Sequence, residues 1–365
     1  MSGLRIVVAG GGTGGHVIPA LAIGRELRDR HNAEVLYVGT SRGLETRLVP
    51  EAGFQLELVR SGQLKNVSLR TRLKTFGDLP LGVAHCVRLL RAFKPQVVIG
   101  VGGYASGPAM IAAILLRIPT LAYEPNAVPG MTNKVAGRFV SAAAVNFPQT
   151  AQFFRNAEVT GVPVRPEVFR LPPRPPDGPP RLLVTAGSNG AQVFNDTLPR
   201  IASRLLRNVR GVTIVHQSGP RQLEVTRAAF AQSVADPADL ARIRVEAFLT
   251  DMPGEYAAAD LVLARSGSTV SELCAAGKPS LLVPFPQAAD DHQRRNAEVL
   301  VQAGAAEMLL QRDLTAETLE SALTSLLNDP VRRAAMSERA RTLARPGALG
   351  RITALVLHLA AKNKG

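Results

Sequence analysis

The sequence of 365 residues predicts an α/β protein of two domains, each built on a doubly wound parallel sheet. Short apolar strands alternate with helical segments along most of the chain, and this alternation restarts after a Pro-rich stretch, LPPRPPDGPP at 171–180. Continuous apolar strands between helices are typical of parallel sheets that are covered on both faces. The length is sufficient for two hydrophobic cores of ordinary size.

Strands are expected in both halves of the chain. Those of the first half are 5–9, 34–38, 55–59, 97–100, 120–123 and 142–146, and those of the second half are 181–185, 212–217, 244–248, 261–264 and 280–284. Segments such as 17–30 and 269–276 suit helices. We expect an N-terminal Rossmann-like domain over 1–163, a C-terminal one over 164–345, and a last helix in 346–365 that packs back on the first domain.

The chain is strongly basic, with a formal net charge of +14. Residues 1–164 carry 18 Lys or Arg against 9 acidic residues, and residues 165–365 carry 25 against 20. Such an excess attracts nucleic acid, acidic phospholipid and phosphorylated substrates. An Arg-rich surface without functional meaning explains the same composition, so charge alone does not separate these classes.

Several features of the composition bear on compartment and partners. Cys86 and Cys274 fit no metal-binding or redox spacing, which predicts a reducing compartment. The N-terminus lacks the apolar core of a signal peptide, and the apolar run around 109–116 is too short to span a bilayer. We therefore expect a cytoplasmic location. Four Tyr, no Trp and no recognisable RNA or DNA motif argue against a nucleic-acid partner.

The first glycine loop, GGGTGG at 10–15, follows the first strand. It matches the dinucleotide spacing G-x-G-x-x-G at Gly10, Gly12 and Gly15. A NAD site also needs an acidic residue at the end of the second strand to hold the ribose. That strand ends in YVGTS without an acid, and Glu45 lies farther along, in the next helix. The loop therefore predicts a phosphate site at a helix N-terminus rather than a hydride-transfer site.

Two further glycine loops follow predicted strands. The second glycine loop is GVGGYASGP at 100–108, and the third is TAGSNGA at 185–191. In open α/β sheets, ligands bind beyond the carboxyl ends of the strands. A tight turn that packs a helix closely explains any one of these loops. Three together favour a nucleotide diphosphate in the second half and another phosphorylated substrate in the first.

Polar side chains accompany two helix starts in the second half. RSGSTVSE follows a strand and places Glu272 in the first helical turn, where it either caps the helix dipole or accepts both hydroxyls of a ribose. DDHQRRNA places Gln293 and Asn296 on one helix face, either as solvated positions or as partners of sugar hydroxyls.

Seven motifs occur in order between about residues 4 and 345 and together resemble the MurG family of glycosyltransferases: GGGTGGHVIPALAIG, GVGGYASGP, EPNAVPGMTNK, GVPVR, AGSNGA, RSGSTVSE and DDHQRRNA. The resemblance implies the GT-B fold, two Rossmann-like domains with parallel sheets and an interdomain cleft. It implies an inverting hexosyltransferase that moves N-acetylglucosamine from UDP-N-acetylglucosamine to the C4 hydroxyl of the muramyl sugar of lipid I, undecaprenyl-pyrophosphoryl-muramyl-pentapeptide. The product, lipid II, serves peptidoglycan synthesis.

The resemblance also implies roles for individual residues. Donor-binding residues are Thr13, Gly14, Gly15, Asn126, Arg165, Ser188, Leu249, Ser268, Thr269, Val270, Ser271, Glu272 and Gln293, and acceptor-binding residues are Gly102, Gly103, Tyr104 and Ser106. In the donor set, Leu249 would contact the uracil through its backbone, Glu272 would hold the ribose, and Gln293 would bind the sugar hydroxyls.

His16, directly after the first glycine loop, is the candidate catalytic residue. The acceptor hydroxyl must lose its proton as it attacks the anomeric carbon, and imidazole titrates near operating pH. Capping the helix or positioning the acceptor are its alternative roles. Amides at Ser268 and Thr269, together with Arg165, would stabilise the leaving UDP, so neither a metal nor a cofactor is expected.

A lipid-linked acceptor requires a membrane-facing surface. Residues 60–94 contain eight Lys or Arg against one acidic residue, Asp78, with apolar residues among them: Leu64, Val67, Leu69, Leu73, Phe76, Leu79 and Leu81. This composition predicts peripheral attachment to anionic lipid at the cytoplasmic face of the cell membrane. An amphipathic helix that covers the sheet is the alternative.

Two departures from the family pattern accompany the resemblance. The chain reads Tyr-Glu-Pro-Asn at 123–126 where the family often has His-Glu-Gln-Asn, and RSGSTVSE is one residue shorter than in many members, which shifts the alignment of Ser266 to Ser268. A diacylglycerol glycosyltransferase and a UDP-N-acetylglucosamine epimerase remain alternative functions.

Overall fold

The computed structural model describes residues 3–41, 43–59, 69–103, 105–174 and 178–362, without the side chains of 69–77. Two compact units divide the chain. Unit 1 comprises Met1–Pro163 and Gly347–Gly365, and unit 2 comprises Val164–Pro346. The Pro-rich stretch therefore lies within unit 2 rather than between the units. There Arg174 donates a hydrogen bond to the carbonyl of Ala258 at 2.9 Å and forms an ion pair with Asp260.

Unit 1 contains one parallel sheet, formed in the described residues by β1 (Arg5–Ala9), β2 (Glu34–Gly39), β3 (Gln55–Leu58), β4 (Val97–Gly100), β5 (Thr120–Glu124), β6 (Ala142–Val145) and β7 (Ala157–Val159). Their order is β3-β2-β1-β4-β5-β6-β7. Val8 of β1 pairs with Tyr37 on one side and Ile99 on the other. The central strands are buried on both faces, as their apolar sequences require.

Helices cover both faces of this sheet. They are α1 (Gly14–His31), α2 (Glu45–Glu51), α3 (Leu69–Phe93), α4 (Ser106–Leu115), α5 (Met131–Ala136) and the C-terminal helix Ala348–Lys362. Ile6 and Val8 share one core with Ile352 of the C-terminal helix, while Val7 shares the other with Met110 of α4. Successive side chains of a strand point to opposite faces, which explains the two cores.

Unit 2 repeats this plan. Its strands are β8 (Arg181–Thr185), β9 (Thr213–Gln217), β10 (Ile243–Glu246), β11 (Leu261–Ala264), β12 (Ser280–Leu282) and β13 (Ala306–Met308), in the order β10-β9-β8-β11-β12-β13. Its helices are α6 (Gln192–Asn208), α7 (Leu223–Ser233), α8 (Pro237–Leu240), α9 (Met252–Ala258), α10 (Thr269–Ala276), α11 (His292–Gln302), α12 (Ala316–Leu327) and α13 (Pro330–Leu343). Every strand pair in the described part of this sheet is parallel.

The fold class was predicted, but several element bounds were not. β7 and β13 were missed because each has only three residues and a central Glu, which gives no apolar run. The helix expected at 17–30 begins instead at Gly14, so Gly14, Gly15 and His16 form its first turn. Within the described residues, no helix is long and apolar enough to cross a membrane.

Candidate functional site

The strand order places the sequence motifs at two topological switch points. In unit 1 the order reverses between β1 and β4, and in unit 2 between β8 and β11. The first and second glycine loops leave β1 and β4, and the third glycine loop and RSGSTVSE leave β8 and β11. In such sheets the crevice at the switch point is where ligands bind.

In unit 1 the two glycine loops are in close contact. A Cβ on Gly103 would collide with the carbonyl oxygen of Gly11, and a Cβ on Gly10 would collide with the side chain of Val101. The backbones therefore approach as closely as glycine allows, and the two loops form one surface.

The imidazole of His16 lies against the second glycine loop. Its Nε2 is 3.0 Å from the position that a Cβ on Gly102 would occupy. Gly102 has a φ of +90°, so a side chain there would meet both the imidazole and an unfavourable backbone conformation. The structure thus brings His16 beside Gly102, one of the residues predicted to bind the acceptor.

The first turn of α1 sets the direction of His16. Thr13 is the N-cap, and its carbonyl accepts hydrogen bonds from the N–H groups of His16 and Val17, both at 3.1 Å. The N–H groups of Gly14 and Gly15 precede these bonds at a helix N-terminus, where backbone amides bind anions. The first turn of α1 therefore presents backbone amides beside His16, an arrangement that suits an anion.

The other two acceptor residues differ in their placement. Tyr104 lies outside the described residues. Ser106, the first residue of α4, is buried, and its Oγ is 2.7 Å from the position of a Cβ on Gly100. Its hydroxyl is therefore directed toward the sheet.

A buried carboxylate that was not expected to have a role organises the loop after β5. Glu124 accepts hydrogen bonds from the N–H and the side-chain amide of Asn126, at 3.1 and 3.0 Å. Its other oxygen accepts from the N–H of Gly130 and the side chain of Asn133, both at 3.0 Å. Burial raises the pKa of Glu124, while these donors lower it. Asn126, assigned to the donor sugar, is thus oriented by Glu124.

In unit 2, Gln217 connects two of the predicted donor segments. Its side-chain nitrogen donates to the carbonyl of Gly187 in the third glycine loop at 2.6 Å, and its oxygen accepts from the N–H of Leu249 at 3.0 Å. Because this N–H is already bonded, a base held by the backbone of Leu249 would use the carbonyl. Ser188, next to Gly187, is exposed.

Glu272 lies in the first turn of α10 and is oriented by Tyr256 of α9. The hydroxyl of the buried Tyr256 donates to Oε2 of Glu272 at 2.8 Å. Burial raises the pKa of Glu272, whereas the Tyr256 hydroxyl and the positive charge of Arg165 lower it. Arg165 itself is exposed and lies 3.7 Å from Glu167. Tyr256 was missed because an isolated Tyr in a helical segment gives no sequence signal.

The turn before α10 is held by α11. Asn296 is buried and donates to the carbonyl of Ser266 at 3.0 Å, so it supports the turn. Gln293 accepts from the N–H of Phe285 at 3.0 Å, and its Nε2 is 3.7 Å from the position of a Cβ on Gly267.

Ser268 is the N-cap of α10, and the helix begins at Thr269 with Val270 and Ser271 in its first turn. The predicted donor residues from 268 to 272 therefore surround a helix N-terminus. Among the residues that the structure describes, no group of three or more His, Cys, Asp or Glu is placed to hold a metal ion.

Comparisons with known proteins agree with this architecture. Residues 6–145 match the glycosyltransferase family 28 N-terminal domain, and residues 181–351 match the glycosyltransferase family 28 C-terminal domain. The crystal structure of Acinetobacter baumannii MurG superimposes with a TM-score of 0.80 at 32% identity, covering 97% of this chain and 99% of that one. A putative UDP-N-acetylglucosamine 2-epimerase from Listeria monocytogenes superimposes with a TM-score of 0.65 at 14% identity over 98% of this chain and 96% of that one, which shows a shared fold.

The two Rossmann-like units and their switch-point loops are those of a GT-B glycosyltransferase of family 28. A Solibacter usitatus protein named UDP-N-acetylglucosamine--N-acetylmuramyl-(pentapeptide) pyrophosphoryl-undecaprenol N-acetylglucosamine transferase is 46% identical over 349 residues, which cover 94% of this chain and 93% of the relative. The chain belongs to this family of transferases, the MurG family.

Replacement of Tyr256 by Phe should raise the pKa of Glu272 still further. The Tyr256 hydroxyl stabilises the ionised carboxylate, so its removal favours the protonated form and extends protonation to higher pH. A ¹³C-carboxyl NMR titration would measure the change. Tyr123→Phe is the matched control, because among the residues that the structure describes this buried hydroxyl has no hydrogen-bond partner. An unchanged titration of Glu272 in Tyr256→Phe would contradict the orienting role of Tyr256.

Proposed function

We propose that the protein transfers N-acetylglucosamine from UDP-N-acetylglucosamine to the C4 hydroxyl of the muramyl sugar of lipid I, with inversion at the anomeric carbon. The observation that carries this proposal is that the His16 imidazole lies beside Gly102, in the first turn of a helix whose N-terminal amides suit an anion. A base next to a phosphate site suits an acceptor that carries a pyrophosphate close to the reacting hydroxyl.

We infer that unit 2 binds the donor. The N-terminus of α10 and the exposed guanidinium of Arg165 favour binding of the donor's diphosphate, because both supply positive charge. Glu272, oriented by Tyr256, accepts the ribose hydroxyls, and the carbonyl of Leu249 accepts from the uracil. Gln293 at the start of α11 recognises the sugar.

In the proposed reaction, His16 accepts the proton of the C4 hydroxyl as that oxygen attacks the anomeric carbon. The new glycosidic bond forms while the bond from the anomeric carbon to the diphosphate oxygen breaks, and UDP leaves with both electrons. Helix amides at Ser268 and Thr269 and the charge of Arg165 stabilise the leaving group. This fixed positive charge makes a metal cofactor unnecessary.

Transfer of radiolabelled sugar to a short-chain lipid I analogue tests the function. We expect transfer from UDP-N-acetylglucosamine, weaker transfer from UDP-glucose, and unchanged rates after a chelator is added. Diacylglycerol should not be an acceptor. Transfer to diacylglycerol alone, or epimerisation of the donor without transfer, would replace the proposal with one of the alternatives.

His16→Ala should lower turnover by about 10²- to 10⁴-fold, the usual contribution of a general acid or base. UDP affinity, measured by calorimetry, should remain nearly normal because the donor residues of unit 2 are unchanged. His31→Ala, at the exposed far end of the same helix, is the control and should not alter the rate. A near-normal rate in His16→Ala would remove His16 from the mechanism.

We further propose that unit 1 contacts an anionic membrane at the cytoplasmic face of the cell membrane. The basic segment predicted for this role is 60–94. Its residues 60–77 lie outside the described side chains, and Leu81 of α3 is exposed. Support comes from α4, α5 and the turn after α5, where large apolar side chains are exposed: Ile111, Leu115, Met131, Val135 and Phe139. Lys134 and Arg138 are exposed among them. Apolar groups beside cations are typical of surfaces that bind anionic lipid.

Vesicle pelleting tests this surface. Wild-type protein should pellet with vesicles that contain anionic lipid and much less with neutral ones. Phe139→Ser should weaken binding to anionic vesicles several-fold, and Lys134→Ser combined with Arg138→Ser should weaken it in a salt-dependent manner. Val331→Ser, an exposed apolar residue of unit 2, is the control. Equal binding of the wild type to anionic and neutral vesicles would refute the proposed electrostatic contribution to membrane binding.

A further inference from the structure

We propose that Glu45 is a positioning residue of the transferase, which holds the first glycine loop and thereby the His16 imidazole. This inference rests on the proposed function of His16. Glu45 is the first residue of α2, and it is only 1% exposed. A carboxylate so deeply buried needs hydrogen-bond donors around it, and the identity of those donors indicates its role.

The donors to Glu45 come from two loops at the carboxyl ends of β1 and β2. Oε2 accepts from the N–H of Gly12 at 2.7 Å. Oε1 accepts from the N–H of Thr40 at 3.0 Å and from its hydroxyl at 2.9 Å. Through these three hydrogen bonds, one side chain ties the first glycine loop to the end of β2.

Both polar backbone groups of Gly12 form hydrogen bonds to the start of α2. While its N–H donates to Glu45, its carbonyl accepts from the N–H of Leu44 at 3.0 Å. Gly12 is otherwise exposed and has a φ of +94°, so it has few other constraints. The start of α2 therefore determines where this part of the loop lies.

The sequence around the loop leaves room for the carboxylate. A Cβ on Gly11 or on Gly43 would collide with the Glu45 carboxylate, and a Cβ on Gly39 would lie 2.7 Å from its Cγ. Three segments of chain therefore have glycine where they meet this one side chain. Glycine at all three positions leaves space for the carboxylate, as expected if the carboxylate occupies one defined position against the loop.

Only residues 13–15 separate Gly12 from His16, so the position of Gly12 affects the position of His16. Thr13 follows Gly12 directly and is the N-cap whose carbonyl accepts from the N–H of His16. A displacement of Gly12 would shift this cap and move the imidazole relative to Gly102. In addition, the N–H of Gly12 is already bonded to Glu45, which leaves the amides of Gly14 and Gly15 as the donors for an anion at this helix N-terminus.

Glu45→Gln tests the proposal with little change in shape. One oxygen can still accept from Thr40, but the new NH₂ group then faces the N–H of Gly12, and two donors repel. We expect kcat for sugar transfer to fall about tenfold or more, since small misplacements of a catalytic group are costly. The KM for UDP-N-acetylglucosamine should change much less than kcat, because the donor residues of unit 2 are unchanged. Glu51→Gln, at the exposed end of α2, is the matched control.

A double-mutant cycle with His16→Ala separates positioning from general destabilisation. If Glu45 acts through His16, Glu45→Gln should have almost no further effect on kcat in the His16→Ala background. Fully additive losses would overturn the proposal, and so would an unchanged kcat in the single variant. Thr40→Val, which removes one donor and keeps the carboxylate, should show the same pattern with a smaller loss.

Hydrogen exchange provides a readout that does not depend on activity. In Glu45→Gln, amide exchange should accelerate in the segment 10–17, while the remainder of unit 1 keeps the protection of the wild type. Acceleration throughout unit 1 would identify a structural role and overturn the proposal. If the wild type transfers no sugar but exchange changes only at 10–17, the proposed function fails while the contact between Glu45 and the loop stands.

Discussion

The parallel pairing of β1 with both β2 and β4 is the constraint on which the unit 1 site depends. Because the chain connections leave β1 in opposite directions at this point, the loops after β1 and β4 border one crevice. Their backbones meet where Gly103 approaches the carbonyl of Gly11. His16, in the first turn of α1, then lies beside Gly102.

Unit 2 uses the same strand order for a different set of contacts. Its switch point joins the third glycine loop and the turn before α10, and Gln217 links that loop to Leu249. Here the polar groups are a helix N-terminus, a carboxylate and side-chain amides, which suit a nucleotide sugar. The two units thus share a fold but differ in the chemistry of their loops, as expected when function depends on the site rather than on the fold.

Three carboxylates near the carboxyl ends of strands each accept hydrogen bonds from other protein groups. Glu45 accepts from backbone and threonine donors, Glu124 from asparagine and glycine donors, and Glu272 from a tyrosine hydroxyl. The protein environment supplies hydrogen bonds to each one, and these offset part of the cost of burial. Each carboxylate either orients another group or is itself oriented, so side-chain hydrogen bonds hold the loops in addition to packing.

The two-domain α/β class, nearly all strands of the two sheets and the glycine loops can be predicted from the sequence, because apolar runs and glycine spacing are local signals. The motifs that resemble the family also point to His16, Glu272 and Gln293. The folded chain is needed to show that Gly14 begins a helix, that Asn296 supports a turn, and that Glu45, Glu124 and Tyr256 orient other groups. These roles depend on contacts between residues of different elements, and the pattern of a single segment carries no information about such partners.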